Sequence, residues 1–93
     1  MDGLLLMNTK TNSAYLLITC NDGQFEKVIT QLEQMADIKE VQGTCGAYDI
    51  IAKAESITSG HLQRFIIQKI RTMANVRSTL TLHYEHNSYR NES

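Results

Sequence analysis

The 93-residue chain holds no apolar stretch approaching the roughly 18 residues that a membrane span requires. Its N-terminal run Leu4-Leu5-Leu6-Met7 is too short for a signal sequence and follows Asp2 where a leader carries positive charge. The nine Lys and Arg residues are scattered from Lys10 to Arg90 without forming a block, and the formal net charge is −1. Nucleic-acid binding needs several clustered cations to displace counterions from phosphates, so direct binding is not expected. Cysteine is scarce. Cys20 and Cys45 stand too far apart for a metal knuckle or a redox pair, and they read as the reduced thiols of a cytoplasmic protein with no metal and no cofactor.

At 42% hydrophobic and 20% charged residues, the composition is that of an ordinary globular protein. A single domain this small buries only about 60 to 65% of the surface its unfolded chain exposes, so association would help it. The run Ala14-Tyr15-Leu16-Leu17-Ile18-Thr19-Cys20 is short, aromatic and branched, and apolar at both parities, as in a strand covered on both faces. Asn21-Asp22-Gly23 breaks it, with Asp22 as a helix cap. Phe25, Val28, Ile29, Leu32 and Met35 then recur at helical spacing. A half-polar strand over residues 38–42 leads to Gly43-Thr44-Cys45-Gly46, whose glycines permit the positive φ of a tight turn.

Residues 48–55 resume as a strand, and residues 56–60 supply caps for a second amphipathic helix carrying Leu62, Phe65, Ile66, Ile70 and Met73. Residues 76–84 alternate, with Val76, Leu80, Leu82 and Tyr84 against Arg77, Thr79, Thr81 and His83, as in a half-buried strand. The order is βαββαβ, and it repeats internally: Met35-Ala36-Asp37-Ile38-Lys39 returns as Met73-Ala74-Asn75-Val76-Arg77. Two interlocked βαβ units give an α+β, ferredoxin-like sandwich, a four-stranded antiparallel sheet with two helices on one face. The other face is then bare. The first strand is apolar at both parities, and Ile50 and Ile51 are neighbours of opposite parity. Leaving such side chains wet forfeits roughly 1.5 to 3 kcal/mol each, so a second sheet is expected to cover them in a two-fold dimer.

Ala14-Tyr15-Leu16-Leu17-Ile18, Gly46-Ala47-Tyr48-Asp49-Ile50-Ile51 and Val76-Arg77-Ser78-Thr79-Leu80-Thr81-Leu82 together resemble the effector-binding (RAM, regulation of amino acid metabolism) domain of the Lrp/AsnC transcription regulators. The likeness covers residues 14–84, between an N-terminal extension, 1–13, and a polar tail, 85–93. It implies a ferredoxin-like monomer of the dimeric α+β barrel type and a homodimer joined through its sheets. It also implies an octameric ring of four dimers that holds amino acids or related small metabolites between dimers. The thirteen residues before the first strand are too few for a helix-turn-helix reader, so DNA binding is expected to be missing. Where the family commonly has glycine before the last strand this chain has Asn75, the residue that best tolerates a left-handed turn. Residues 4–7 read as a relic of the family's linker.

Asp49, beside Tyr48 and Ile50, suits a buried strand poorly unless paired; it reads either as the acceptor for a ligand's α-ammonium or as a salt bridge or wet edge position. Thr44, Cys45, Gly46 and Ala47 offer successive backbone N–H groups to a carboxylate, although most such turns merely connect strands. Ser78 and Thr79 add hydroxyls, and Tyr48, with Tyr15 at the matching place, packs or stacks. Three functions follow. The first is an amino-acid-sensing oligomerisation module. The second is a structural partner that co-assembles with full-length Lrp/AsnC regulators. The third is a small ferredoxin-like monooxygenase or isomerase, which the apolar inward positions leave without an acid and base pair.

Overall fold

The computed structural model describes residues 11–85. The elements follow in order: β1 (Asn12–Cys20), α1 (Phe25–Glu33), β2 (Ile38–Gly43), β3 (Ile50–Ser56), α2 (Ser59–Phe65) running into a π-helical turn (Ile66–Ile70), and β4 (Val76–Glu85). The expectations for residues 4–7 and for the tail beyond Glu85 lie outside the described residues. All strand pairs are antiparallel, in the order β2-β3-β1-β4, which is the expected ferredoxin-like sheet.

Alternation along β1 divides the fold into two faces. Ala14, Leu16, Ile18 and Cys20 are buried, and the first three pair across the sheet with Ala54, Ala52 and Ile50 of β3. Val28 and Leu32 of α1, with Leu62, Ile66 and Ile70 of the second helix, complete this core. The π-helical turn widens the helix just where Ile66 follows Leu62, so that residues four apart all point inward, while Ile67 is left outside, 52% exposed.

The other parity faces away from the helices. Leu17 pairs with Ile51 on one side and Leu80 on the other, and Tyr15 pairs with Leu82. Ile51, Leu80 and Leu82 are 37%, 45% and 50% exposed, an apolar surface on the sheet face that none of the described elements covers. Here the structure refines the sequence reading of the last strand. Its leucines do not line the helix-covered core; they lie on the open face, and the smaller Thr79 and Thr81 pair with Ile18 and Leu16 on the helix side. Lys53 and Glu55 share the open face with Tyr15, Lys53 Nζ lying 3.3 Å from Glu55 Oε2 and 5.9 Å from the Tyr15 ring centre.

Local details follow sequence chemistry with one exception. Thr58 caps α2, its hydroxyl accepting the His61 N–H at 3.1 Å, and Asn75 takes φ of 73°. Asp22 does not cap α1, because the helix starts later: Gln24 occupies the cap position with no side-chain hydrogen bond, and Asp22 sits in the turn made by Gly23 at φ 78°. Gly43 serves by lacking a side chain: a Cβ there would lie 2.5 Å from the tip of the Phe25 ring. Gly43→Ala is therefore expected to cost about 1 kcal/mol by denaturant unfolding, and the same change in a Phe25→Ala background to cost measurably less. Equal costs in the two backgrounds would show that the ring contact is not the cause.

Candidate functional site

The β2–β3 connection is closed at its base by hydrogen bonds between its own ends. The Thr44 N–H donates to the Asp49 carbonyl at 2.9 Å, and the Thr44 hydroxyl donates to the Tyr48 carbonyl. Gly46 takes φ of 141°, a conformation that a side chain would resist. Cys45, Gly46 and Ala47 form the exposed tip, while Thr44, Tyr48 and Asp49 are half-buried. Of the loop amides that the sequence offers to an anion, Thr44's is thus spent within the loop.

Asp49 ties this loop to the end of β1 twice. Its N–H donates to the Ile18 carbonyl at 2.8 Å, and its Oδ2 accepts the Cys20 N–H at 2.8 Å. The pairing of β1 with β4 shifts register between Thr19 and Cys20, and an amide next to such an irregularity needs an acceptor from elsewhere. The pairing that an acid at this position requires is therefore met by a backbone amide, which commits one carboxylate oxygen. The thiol of Cys20 is pushed above its ordinary range by burial and by the Asp49 carboxylate, with the Arg77 guanidinium opposing.

Ser78 and Thr79 begin β4 at this same end of the sheet, since Thr19 pairs with Ser78 and Ile18 with both Thr79 and Ile50. They point to opposite faces. The Ser78 hydroxyl lies 2.6 Å from that of Thr19 on the open face, whereas Thr79 faces the helices. A groove of about 260 Å³ beside them is lined by Arg71, Val76, Arg77, Ser78 and Thr79. The two arginines are absent from the sequence-derived candidates because Arg71 reads as helix exterior and Arg77 as the polar half of an alternating strand. The adjacency of Arg77 to Ser78 and Thr79 was the available signal. At the far end of the sheet a larger hollow, about 560 Å³, holds Asp37 and His61, whose Oδ2 and Nε2 are 3.2 Å apart.

Replacing Asp49 by Ala should leave the Cys20 amide without its acceptor and cost about 1 to 3 kcal/mol in denaturant unfolding, whereas Asp49→Asn keeps an oxygen there and should recover most of that loss. Equal destabilisation by both would place the effect in the charge and not in the amide contact.

A family model described as the Lrp/AsnC ligand binding domain matches residues 13–84. Among solved structures, FFRP-DM1 is 33% identical with a TM-score of 0.77, over 78% of this chain and 97% of its own. The hypothetical protein PHS023 of Pyrococcus horikoshii is 32% identical with a TM-score of 0.75, over 86% of this chain and 99% of its own. The transcriptional regulator NMB0573 of Neisseria meningitidis, solved as an L-Met complex, shares the fold at 8% identity with a TM-score of 0.69, over 78% of this chain and 49% of its own. Among curated proteins no sequence matches. With the family match spanning β1 to β4 and both arms of the Asp49 loop, the chain belongs to the Lrp/AsnC ligand binding domain family.

Proposed function

We propose that this chain is an amino-acid-sensing oligomerisation module related to the Lrp/AsnC regulators. Two copies join through their open sheet faces, and a small zwitterion is held where the Asp49 loop meets a neighbouring subunit. The observation that carries this reading is the apolar patch of exposed Ile51, Leu80 and Leu82 around half-buried Leu17, which ends at the strand termini from which the Asp49 loop projects. Full burial of each such side chain is worth about 1.5 to 3 kcal/mol, so a second sheet supplies a driving force that a lone subunit forgoes. The dimer is the unit from which an octamer of four dimers is built.

At the ligand, Asp49 supplies the anionic partner for an α-ammonium, and the exposed amides of Cys45, Gly46 and Ala47 supply donors for the α-carboxylate. Tyr48 and Thr44 shape the loop, and Ser78 and Thr79 stand at its flank. Amino-acid recognition is supported by the L-Met complex of the fold relative NMB0573. Control follows from linkage, since a ligand that binds one assembly state more tightly than another shifts the balance between them. The partners controlled in this way are other copies of the chain and full-length Lrp/AsnC regulators, in the cytoplasm. Catalysis is not proposed: among the described residues Ser13 is the one buried polar residue, and the core otherwise consists of aliphatic side chains and Cys20, with no acid and base pair.

Isothermal titration with the twenty amino acids tests the reading. Heat is expected for at least one of them, and it should fall strongly in Asp49→Asn, which retains the Cys20 contact and loses the charge. Silence from all twenty would remove the ligand from the account.

A further inference from the structure

The groove beside β4 carries charge that the fold does not use. Arg71, at the end of the second helix, and Arg77, at the start of β4, line it together. Neither makes an ion pair among the described residues, where the ion pairs are Lys53 with Glu55 and His61 with Asp37. Two guanidinium groups facing one hollow repel each other, and an anion placed between them relieves that repulsion while accepting planar, forked hydrogen bonds. The adjoining depression contains Glu26 and Lys27, whose charges offset one another, so the excess positive charge stays with the arginines.

The position of this groove relative to Asp49 sets what kind of anion fits. Asp49 grips the Cys20 N–H at the end of β1, and Cys20 is paired on its other side with Val76, next to Arg77. One strand therefore separates the carboxylate from the guanidinium, which amounts to about 10 Å between the backbones that carry them. The charges of both Asp49 and Arg77 are felt at the Cys20 thiol, on the strand between them, so a small molecule bearing an ammonium at one end and a carboxylate two or three carbons away is of the size to meet both. The local sum of one anion and two cations also favours a ligand of net charge −1 over a neutral one.

We propose that the Arg71–Arg77 groove receives the side-chain carboxylate of an acidic amino acid whose α-ammonium lies at Asp49, making the module selective for L-glutamate and L-aspartate over their amides. This rests on the sensing reading above and adds to it the ligand class and the residues that select it. A glutamine or asparagine in the same place presents a neutral amide whose NH₂ faces guanidinium donors, leaving hydrogen bonds unmade on both sides. That mismatch is the source of discrimination.

Calorimetric titration of the full chain with L-glutamate, L-aspartate, L-glutamine and L-asparagine decides the matter. At least one acid should bind about tenfold or more tightly than its amide, as expected for charge-assisted hydrogen bonds. Arg77→Gln and Arg71→Gln, both on exposed positions and checked for fold by circular dichroism, should erase most of that preference. Asp49→Asn should weaken all four ligands alike. Equal affinity for acid and amide in the wild type, or a preference that survives both arginine substitutions, would overturn the acidic-ligand proposal while leaving amino-acid sensing intact. Binding of none of the twenty amino acids would instead sink the sensing reading and this inference with it.

Discussion

A four-stranded sheet covered by helices on one face has a second face to account for, and in this chain that second face is apolar. Strand geometry fixes the problem: adjacent side chains alternate, so a strand reading Ala-Tyr-Leu-Leu-Ile cannot hide all of them from water beneath helices on one side. Leu16 and Ile18 go inward and are fully buried; Tyr15 and Leu17 go outward, where Ile51, Leu80 and Leu82 join them. β4 makes the bias explicit by giving its threonines to the core side and its leucines to the open side. That arrangement is wasteful in a monomer and sensible in an assembly, where the larger side chains become the core between two sheets.

The same geometry gathers the candidate site at one end of the sheet. At the end of β1 the pairing with β4 slips by a residue, and Asp49 accepts the Cys20 amide beside that irregularity. The β2–β3 loop, the end of β1 and the start of β4 are thereby knitted into one platform, with an exposed tip, an acid of which one oxygen is already committed, and two arginines with no ion-pair partner among the described residues. The platform stands at the border of the open face. In the proposed assembly, a ligand held there would meet the seam between two copies of the chain, which would couple binding to association.

Much of this was legible in the sequence. Helical and strand periodicities, together with the internal repeat of Met35-Ala36-Asp37 as Met73-Ala74-Asn75, carry the order of elements and the sheet type, and Asn75 takes the left-handed conformation that its residue type tolerates. What escaped were features that depend on contacts distant in sequence. Which parity of β4 faces the helices is decided by its register against β1, and alternation alone cannot tell inside from outside. The Cys20 amide that engages Asp49 is an i,j relation of two strands, and Gly43 owes its small size to a ring eighteen residues earlier, at Phe25. Arg71 and Arg77 looked like ordinary surface cations because only the fold brings the end of the second helix against the first residues of β4.

The account stands or falls on whether the open face is covered in solution. Sedimentation equilibrium of the wild-type chain at micromolar concentration is the direct measurement. The account predicts a dimer or a multiple of it, and a folded monomer for a chain carrying Leu80→Lys and Leu82→Lys. A wild-type chain that sediments as a stable, folded single subunit would contradict it.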